Sequence, residues 1–305
     1  MAGYILRRGS VAVAVTIVVS ILTFLFTNVA VDPAISMAGE GARQEHIELV
    51  RVQYGFDQPL YVQYGHWLEN WLSGDFGTSF RQRRPVVDML QERFPVTATL
   101  AFSALALALL ISIPLGILAA LRPNSWLDRI TLSIAVVGMA MPSFWMGMLL
   151  IYVFSITMRW LPISGGSTPM HYVLPVITLA YYVLPPIVRL VRSGMIDILR
   201  SDYIRTARAK GLRRHTIILK HALRNALVPV VALGAVQLGH LLGGSIVVES
   251  VFSLSGVGLL AWEAIRAGDL PVIQAILVIM AVIYVGLTLL SDLLNAAIDP
   301  RIRVS

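Results

Sequence analysis

Residues 94–121 read FPVTATLAFSALALALLISIPLGILAAL, a run between Arg93 and Arg122 without one Asp, Glu, Lys or Arg. A helix needs ~20 predominantly apolar residues to cross ~30 Å of hydrocarbon, and this stretch is long enough. Five more charge-free intervals lie between Arg8 and Asp32, Arg129 and Arg159, Arg159 and Arg189, Arg224 and Glu249, and Asp269 and Asp292. Alternating segments of about ten residues, the mark of a membrane barrel, are absent. The pattern predicts an all-α membrane protein with about six transmembrane helices.

Composition points the same way. Hydrophobic residues make up 57% of the chain and charged residues 13%, where a soluble domain carries roughly 25% charged. The first apolar run follows Arg7 and Arg8 as a signal peptide would, but it exceeds an h-region of ~7–15 residues. No small-x-small cleavage site closes it, so it reads as a retained helix. The absence of cysteine excludes disulfides, thiolate metal sites and cysteine nucleophiles. A net charge of +7 would suit nucleic acid on a soluble chain. On a membrane chain the distribution of charge matters more than its sum, and no nucleic-acid partner is expected.

Six spans sort the soluble pieces onto two sides. Residues 1–8, 122–129, 189–224 and 292–305 hold sixteen Lys and Arg against five acids, while the other side holds eight against twelve. Short cytoplasmic loops collect Lys and Arg. Both termini are therefore expected in the cytoplasm, with residues 32–93 outside. The chain divides into an N-terminal stub with the first span (1–31), an external segment (32–93) and a five-helix core (94–305) that includes a cytoplasmic loop at 197–224.

In the external segment Ile47, Val50, Tyr54, Trp67, Leu68, Trp71 and Leu72 recur at roughly helical spacing before Gly74, Asp75 and Gly77 break the pattern. It reads either as a cap on the membrane surface or as a docking face for an external partner. Pro142 falls in the third expected span, and Pro175, Pro185 and Pro186 in the fourth. Such prolines serve helix packing or line pathways. Gly239 and Gly243 in the fifth form a small-xxx-small pair that permits close helix approach. Ser143, Gln237, His240 and Ser245 are the candidate translocation-pathway residues, since polar groups in spans face the bundle interior or a wet cavity. A hydrogen bond between helices is the simpler role for each, His240 included. Residues 250–271, bracketed by Gly256, Gly258 and Pro271, are too short to span and suit a surface or re-entrant helix.

Chemistry-bearing motifs are missing. No G-x-x-x-x-G-K-[S/T] loop cradles a nucleotide and no H-E-x-x-H binds a metal. No catalytic residue and no metal site are expected. The carboxylate or arginine rows of pumps and voltage sensors are also absent, so energy for uphill movement would enter through another chain. A secondary transporter, the alternative, would need coupling-ion ligands or an inverted repeat, and neither is visible. A membrane enzyme or receptor would need a catalytic constellation or a sizeable soluble domain.

The most informative stretch is RSDYIRTARAKGLRRHTIILKHALRNALVPVV at 200–231. It reads as a short helix, a break at Gly211, and a second amphipathic helix leading to Pro229. Composition alone would make it an ordinary positive-inside loop. It resembles, however, the coupling loop of ATP-binding-cassette importer permeases, E-A-A-x-x-x-G-x9-I-x-L-P. Ala207, Gly211 and Leu223 match that motif, while Arg205, Thr206, His221 and Arg224 depart from it. DYIRTARAKG and HALRNALVPVV are similar to the variant of the peptide-permease branch. VDPA at 31–34, GFDQPLYVQY at 55–64, GDFGTSF at 74–80, GGSIVVESVFSLSGVGLL at 243–260 and DLPVIQA at 269–275 extend the likeness over the whole chain. The chain is identified as a member of the dipeptide/oligopeptide/nickel/glutathione permease family, on the subunit with the longer external segment, with glutathione and dipeptide importers nearest.

That resemblance implies a type I ABC importer permease fold in the bacterial inner membrane and no catalysis on this chain. It implies a homologous second permease, two cytoplasmic ATPase subunits that bind ATP and Mg, and an external solute-binding protein. Arg205, Thr206, Ala207, Arg208, Lys210, Gly211 and Leu212 would form the ATPase-coupling loop. Alternating access would follow from ATP closing the ATPases and a coupling helix transmitting that closure. Dipeptides, longer peptides, glutathione and nickel chelates remain open as cargo.

Overall fold

The computed structural model describes residues 2–30, 32–39 and 41–298. Val31 of the VDPA tetrapeptide and Arg301 and Arg303 of the expected inner tail lie outside the described residues. Helices account for every regular element among the described residues. The first is α1 (Ala2–Ala30). Three short helices follow in the expected external segment: α2 (Pro33–Ala38), α3 (Gln44–Gln53) and α4 (Leu60–Leu72). The core holds α5 (Val86–Leu121), α6 (Trp126–Ala140), α7 (Ser143–Leu150, prolonged by a π-helical stretch Ile151–Thr157) and α8 (Met170–Leu199). Next come α9 (Asp202–Ala209), α10 (Arg214–Thr216, running through a π-helical stretch Ile217–Ala222 into α11, Leu223–Ala226) and α12 (Val228–Gly244). The last three are α13 (Ile246–Phe252), α14 (Val257–Ala267) and α15 (Leu270–Ile298).

Four helices are long and apolar enough to cross a membrane unbroken, within α1, α5, α8 and α15. The fifth expected span is α12, met by the 214–226 helix at a bend of 50°. It ends at Gly244, short of Glu249. Beyond it α13 and α14 meet at 90°, a bend that fits a re-entrant loop or a broken span alike. The third expected span is not one helix. Met141 is extended (φ −92°, ψ 126°) before Pro142, the backbone that a following proline enforces. That splits the run into two pieces of about 22 Å each, α6 and the α7 helix with its π-helical continuation.

The heart of the bundle is the α5–α8 pair. Small residues make it tight: Ala101, Ala104 and Ala108 are fully buried along one face of α5. A methyl group on Gly116 would sit 2.7 Å from the Val191 side chain of α8. Without a hydrophobic drive between helices in lipid, such close backbone approach is what holds spans together. Ser112 also donates to the carbonyl of Leu184, 3.2 Å away, beside the Pro185–Pro186 step of α8. Gly239 plays the same part between α12 and α15, its missing methyl being 2.8 Å from Tyr284. Gly243, expected to share that role, has nothing within 4 Å and instead lines a small apolar cavity beside α14.

Contacts sort the connecting pieces onto two ends. At one end Arg8 of α1 pairs with Asp292 of α15 at 3.0 Å. At that same end of the chain's charge pattern, Arg192 of α8 makes a two-point ion pair with Asp128, which is 1% exposed at the start of α6. At the other end Gln274 of α15 donates to Thr27 of α1, and Trp67 of α4 donates to Gln274 at 3.0 Å. There Asp269 accepts hydrogen bonds from the Ser79 hydroxyl and from the N–H of Phe80 and Arg81, pinning the GDFGTSF turn to the start of α15. Residues 32–93 are thus seated on α1 and α15, with the rings of Phe24, Tyr64, Trp67, Trp71 and Phe76 touching in series, Phe24–Tyr64 edge-on and Tyr64–Trp67 stacked.

Candidate functional site

On the basic end, α9 projects from the bundle on an apolar root. Ile204 is fully buried and Ala207 nearly so, in one cluster with Met195 of α8 and with Ile217 and Ala222 of the following helix. Both therefore face this chain's own core. Asn225 donates to the Tyr203 hydroxyl at 2.9 Å, and that hydroxyl reaches the carbonyl of His221 at 3.4 Å, closing a V between α9 and the 214–226 helix.

The tip of the V is a Schellman turn. Gly211 N–H donates to the Arg208 carbonyl (3.0 Å) and Leu212 N–H to the Ala207 carbonyl (3.3 Å), the paired bonds of that motif. Gly211 has φ +75°, a left-handed conformation natural to glycine. A methyl group there would meet nothing within 4 Å, so the glycine serves the turn and not close packing inside this subunit. Arg205, Thr206, Arg208, Lys210, Gly211 and Leu212 are all exposed. Thr206 bonds back to the Asp202 carbonyl, and Arg205 pairs with Asp202 at 3.3 Å. The sequence-predicted loop residues thus come together on one hydrogen-bonded, cationic projection, Ala207 alone turning inward.

The four pathway candidates do not converge. Gln237 and His240, three residues apart, share one side of α12; Gln237 is half-buried and His240 exposed, with its ring edge-on to Tyr284 at 5.5 Å. Ser143 is half-buried at the start of α7. Ser245 is fully buried and donates to Glu249 at 2.7 Å, which places it among the groups that cement this subunit.

Glu249 itself has no exposed surface. Its Oε1 accepts from the hydroxyls of Ser245 and Thr97 (both 2.7 Å), and its Oε2 accepts from Leu259 N–H at 2.9 Å. The Thr97 hydroxyl in turn accepts from Val257 N–H at 2.8 Å. One carboxylate therefore joins α5 to both arms of the α13–α14 hairpin. A methyl group on Gly256 would lie 2.4 Å from Glu249, and one on Gly258 would lie 2.6 Å from the Ile246 backbone. The sequence offered a signal for this node: a carboxylate at the rim of an apolar span, followed by G-x-G, must find partners inside the protein. Thr97 carried no signal. No metal-ligating group of three or more His, Asp or Glu occurs among the described residues.

Residues 112–304 match the family described as binding-protein-dependent transport system inner membrane component, and residues 1–101 match its N-terminal companion family. The chain is 43% identical over 304 residues to the glutathione transport system permease protein GsiC of Escherichia coli K12, covering 99% of each chain. The same figures hold for GsiC of Shigella dysenteriae serotype 1. Among solved structures, an inward-facing form of the MetNI methionine ABC transporter aligns at a TM-score of 0.60 with 20% identity, over 70% of this chain and 97% of that one. That likeness speaks for the fold, the type I ABC importer permease architecture.

Proposed function

Because the chain belongs to the family of binding-protein-dependent transport system inner membrane components, as a permease subunit of an ABC importer, we propose that ATP hydrolysed on partner subunits drives it through the 197–224 loop. In this reading the basic end is cytoplasmic, both termini included, and the α2–α4 cap is external. A homologous permease completes the pathway, two ATPase subunits sit beneath it and an external solute-binding protein delivers cargo. The relatives are named for glutathione, itself a small peptide, and that name supports a small peptide as the cargo. Gln237, His240 and Ser143 are the pathway residues this reading retains.

One observation carries the coupling role: the exposed Schellman tip at Gly211 stands on a root that is continuous with α8 and the span core. A push on the tip is therefore transmitted as rigid-body motion and not absorbed by a loop. Arg205 and Lys210 steer docking to an acidic surface more than they bind it, since exposed ion pairs are weak.

Gly211→Val tests this in the reconstituted complex. A left-handed backbone costs an ordinary residue about 1–2 kcal/mol, and more for a β-branched one, whereas Asn tolerates it. Gly211→Val should cut substrate-stimulated ATP hydrolysis and uptake roughly tenfold, with Gly211→Asn close to wild type and both variants inserted normally. Full transport by Gly211→Val with ATPases bound would reduce this stretch to a positive-inside loop.

A further inference from the structure

A groove of about 530 Å³ opens on the basic end, between the last turn of α5, the last turns of α8 and the inner side of the α9–α10 V. Its floor is apolar, built from Leu121, Ile196, Leu199 and Ile217. Three guanidinium groups, Arg200, Arg208 and Arg214, stand around it, and no acidic residue lines it. Arg208 turns back from the tip of the V toward the groove, its Nη2 being 3.4 Å from the Leu199 carbonyl. Neither Arg200 nor Arg214 has an ion-pair partner among the described residues.

Three like charges around a low-dielectric floor repel one another unless an anion joins them. Guanidinium matches phosphate through paired hydrogen bonds. A small hydrated anion would leave the floor unused, and a purely apolar ligand would leave the cations uncompensated. The depth also decides between occupants. Ala120 and Leu121 close α5, and Leu199 closes α8, so the groove sits where the hydrocarbon gives way to headgroups. Leu212 and Arg208 of the V also line the groove, whereas Arg205 and Lys210 at its tip do not and stay free for a protein partner.

We propose that this groove binds an anionic phospholipid of the adjacent leaflet, its phosphate held by Arg200, Arg208 and Arg214 and its acyl chain laid along Leu121 and Ile196. The lipid would brace the root of α9 against α5 and α8, making the coupling V stiffer in an acidic membrane. The choice of the cytoplasmic leaflet rests on the topology proposed above, but binding itself does not.

The test uses the full complex in mild detergent, titrated with phosphatidylglycerol or phosphatidylethanolamine of identical chains and read by native mass spectrometry. Phosphatidylglycerol should remain bound preferentially. Arg200→Gln/Arg214→Gln should weaken it by at least about tenfold, each surface arginine being worth roughly fivefold toward an anionic lipid. Leu121→Trp, which fills the floor and keeps every charge, should weaken it as well. Equal retention of the two lipids by the wild type, or unchanged phosphatidylglycerol binding in both variants, would overturn the proposal. So would an arginine variant that sheds its ATPase subunits while holding the lipid, because the groove would then be a protein contact.

Discussion

The carboxylate of Glu249 accepts three hydrogen bonds from positions 97, 245 and 259, the two hydroxyl donors being fully buried and the Leu259 N–H partly so. Removing the acceptor would strip Thr97 and Leu259 of their partner, at roughly 1–3 kcal/mol apiece, and leave Ser245 only the Leu242 carbonyl at 3.5 Å. Glu249→Ala is therefore expected to prevent stable accumulation of the subunit. Glu249→Gln keeps the volume and one carbonyl acceptor, and should accumulate with a lowered melting temperature, measured in detergent by loss of soluble complex on heating. The neighbouring glycines rank themselves by what a methyl group would strike. Gly258→Ala meets Ile246 backbone, which cannot rotate away, and Gly256→Ala meets the Glu249 side chain. Gly258→Ala should be the more damaging of the two in the same assay. In the sequence Glu249 only closes the charge-free interval of the fifth span, since partners 152 positions apart leave no periodicity to read. Ser245 meets the same limit: a hydroxyl on an apolar span looks alike in sequence whether it faces a pathway or, as its bond to Glu249 shows here, a buried carboxylate.

Helices joined by a signal in their own residues were the legible ones. The turn at Gly211 could be read because a glycine between two helical patterns meets a local demand for positive φ, and the cap helices because their aromatics recur at helical spacing. The break at Pro142 was ambiguous, as proline bends some spans and interrupts others. The π-helical stretches at 151–157 and 217–222 had no signal at all. Pairings between elements were also hidden, and two of them yield predictions. Arg192 and Asp128 join α8 to α6, with the aspartate side chain 2% exposed. Arg192→Met leaves that charge only the N–H of Asn124 and should cost about 3 kcal/mol, while Arg192→Met/Asp128→Leu should recover much of it, as a double-mutant cycle of melting temperatures would record. In the cap, Asp32 joins α2 to α3 through Arg51 at 2.6 Å. Burial raises the Asp32 carboxyl, but Arg51 and the N–H of Ala34 outweigh it and hold it below its ordinary value of 3.8. A depressed carboxylate stabilises the fold above that ordinary value and ceases to do so as pH falls through the folded one. Amide exchange across 33–53 should stay slow down to about pH 4 and quicken below it. Arg51→Gln should abolish that step.

Across the whole molecule two independent patterns agree on how the ends are grouped. Charge counts in the sequence place 1–8, 122–129, 189–224 and 292–305 on one side, and contacts place members of that set together through Arg8–Asp292 and Arg192–Asp128. The acidic set meets at the other end through Asp269, Gln274 and Glu249. Antiparallel α1 and α15 tie the two ends across the bundle, joined by Arg8–Asp292 at one and Thr27–Gln274 at the other. Only an odd number of crossings between 32–93 and 197–224 puts these sets on opposite faces. The α5, α6–α7 and α8 segments supply three if the Pro142 break lies within one crossing, and two if the α6–α7 run turns back. Charge grouping favours three, since it separates Asp75 and Asp269 from Lys210 and Arg213. Because the chain lacks cysteine, single substitutions report cleanly in otherwise unaltered protein. Ser73→Cys in the cap and His215→Cys in the V are both exposed. In intact cells a membrane-impermeant maleimide should label Ser73→Cys and spare His215→Cys, which should react only after permeabilisation. Labelling of both from outside would mean that the α6–α7 run turns back, and the coupling V would then stand on the wrong side of the membrane to meet an ATPase.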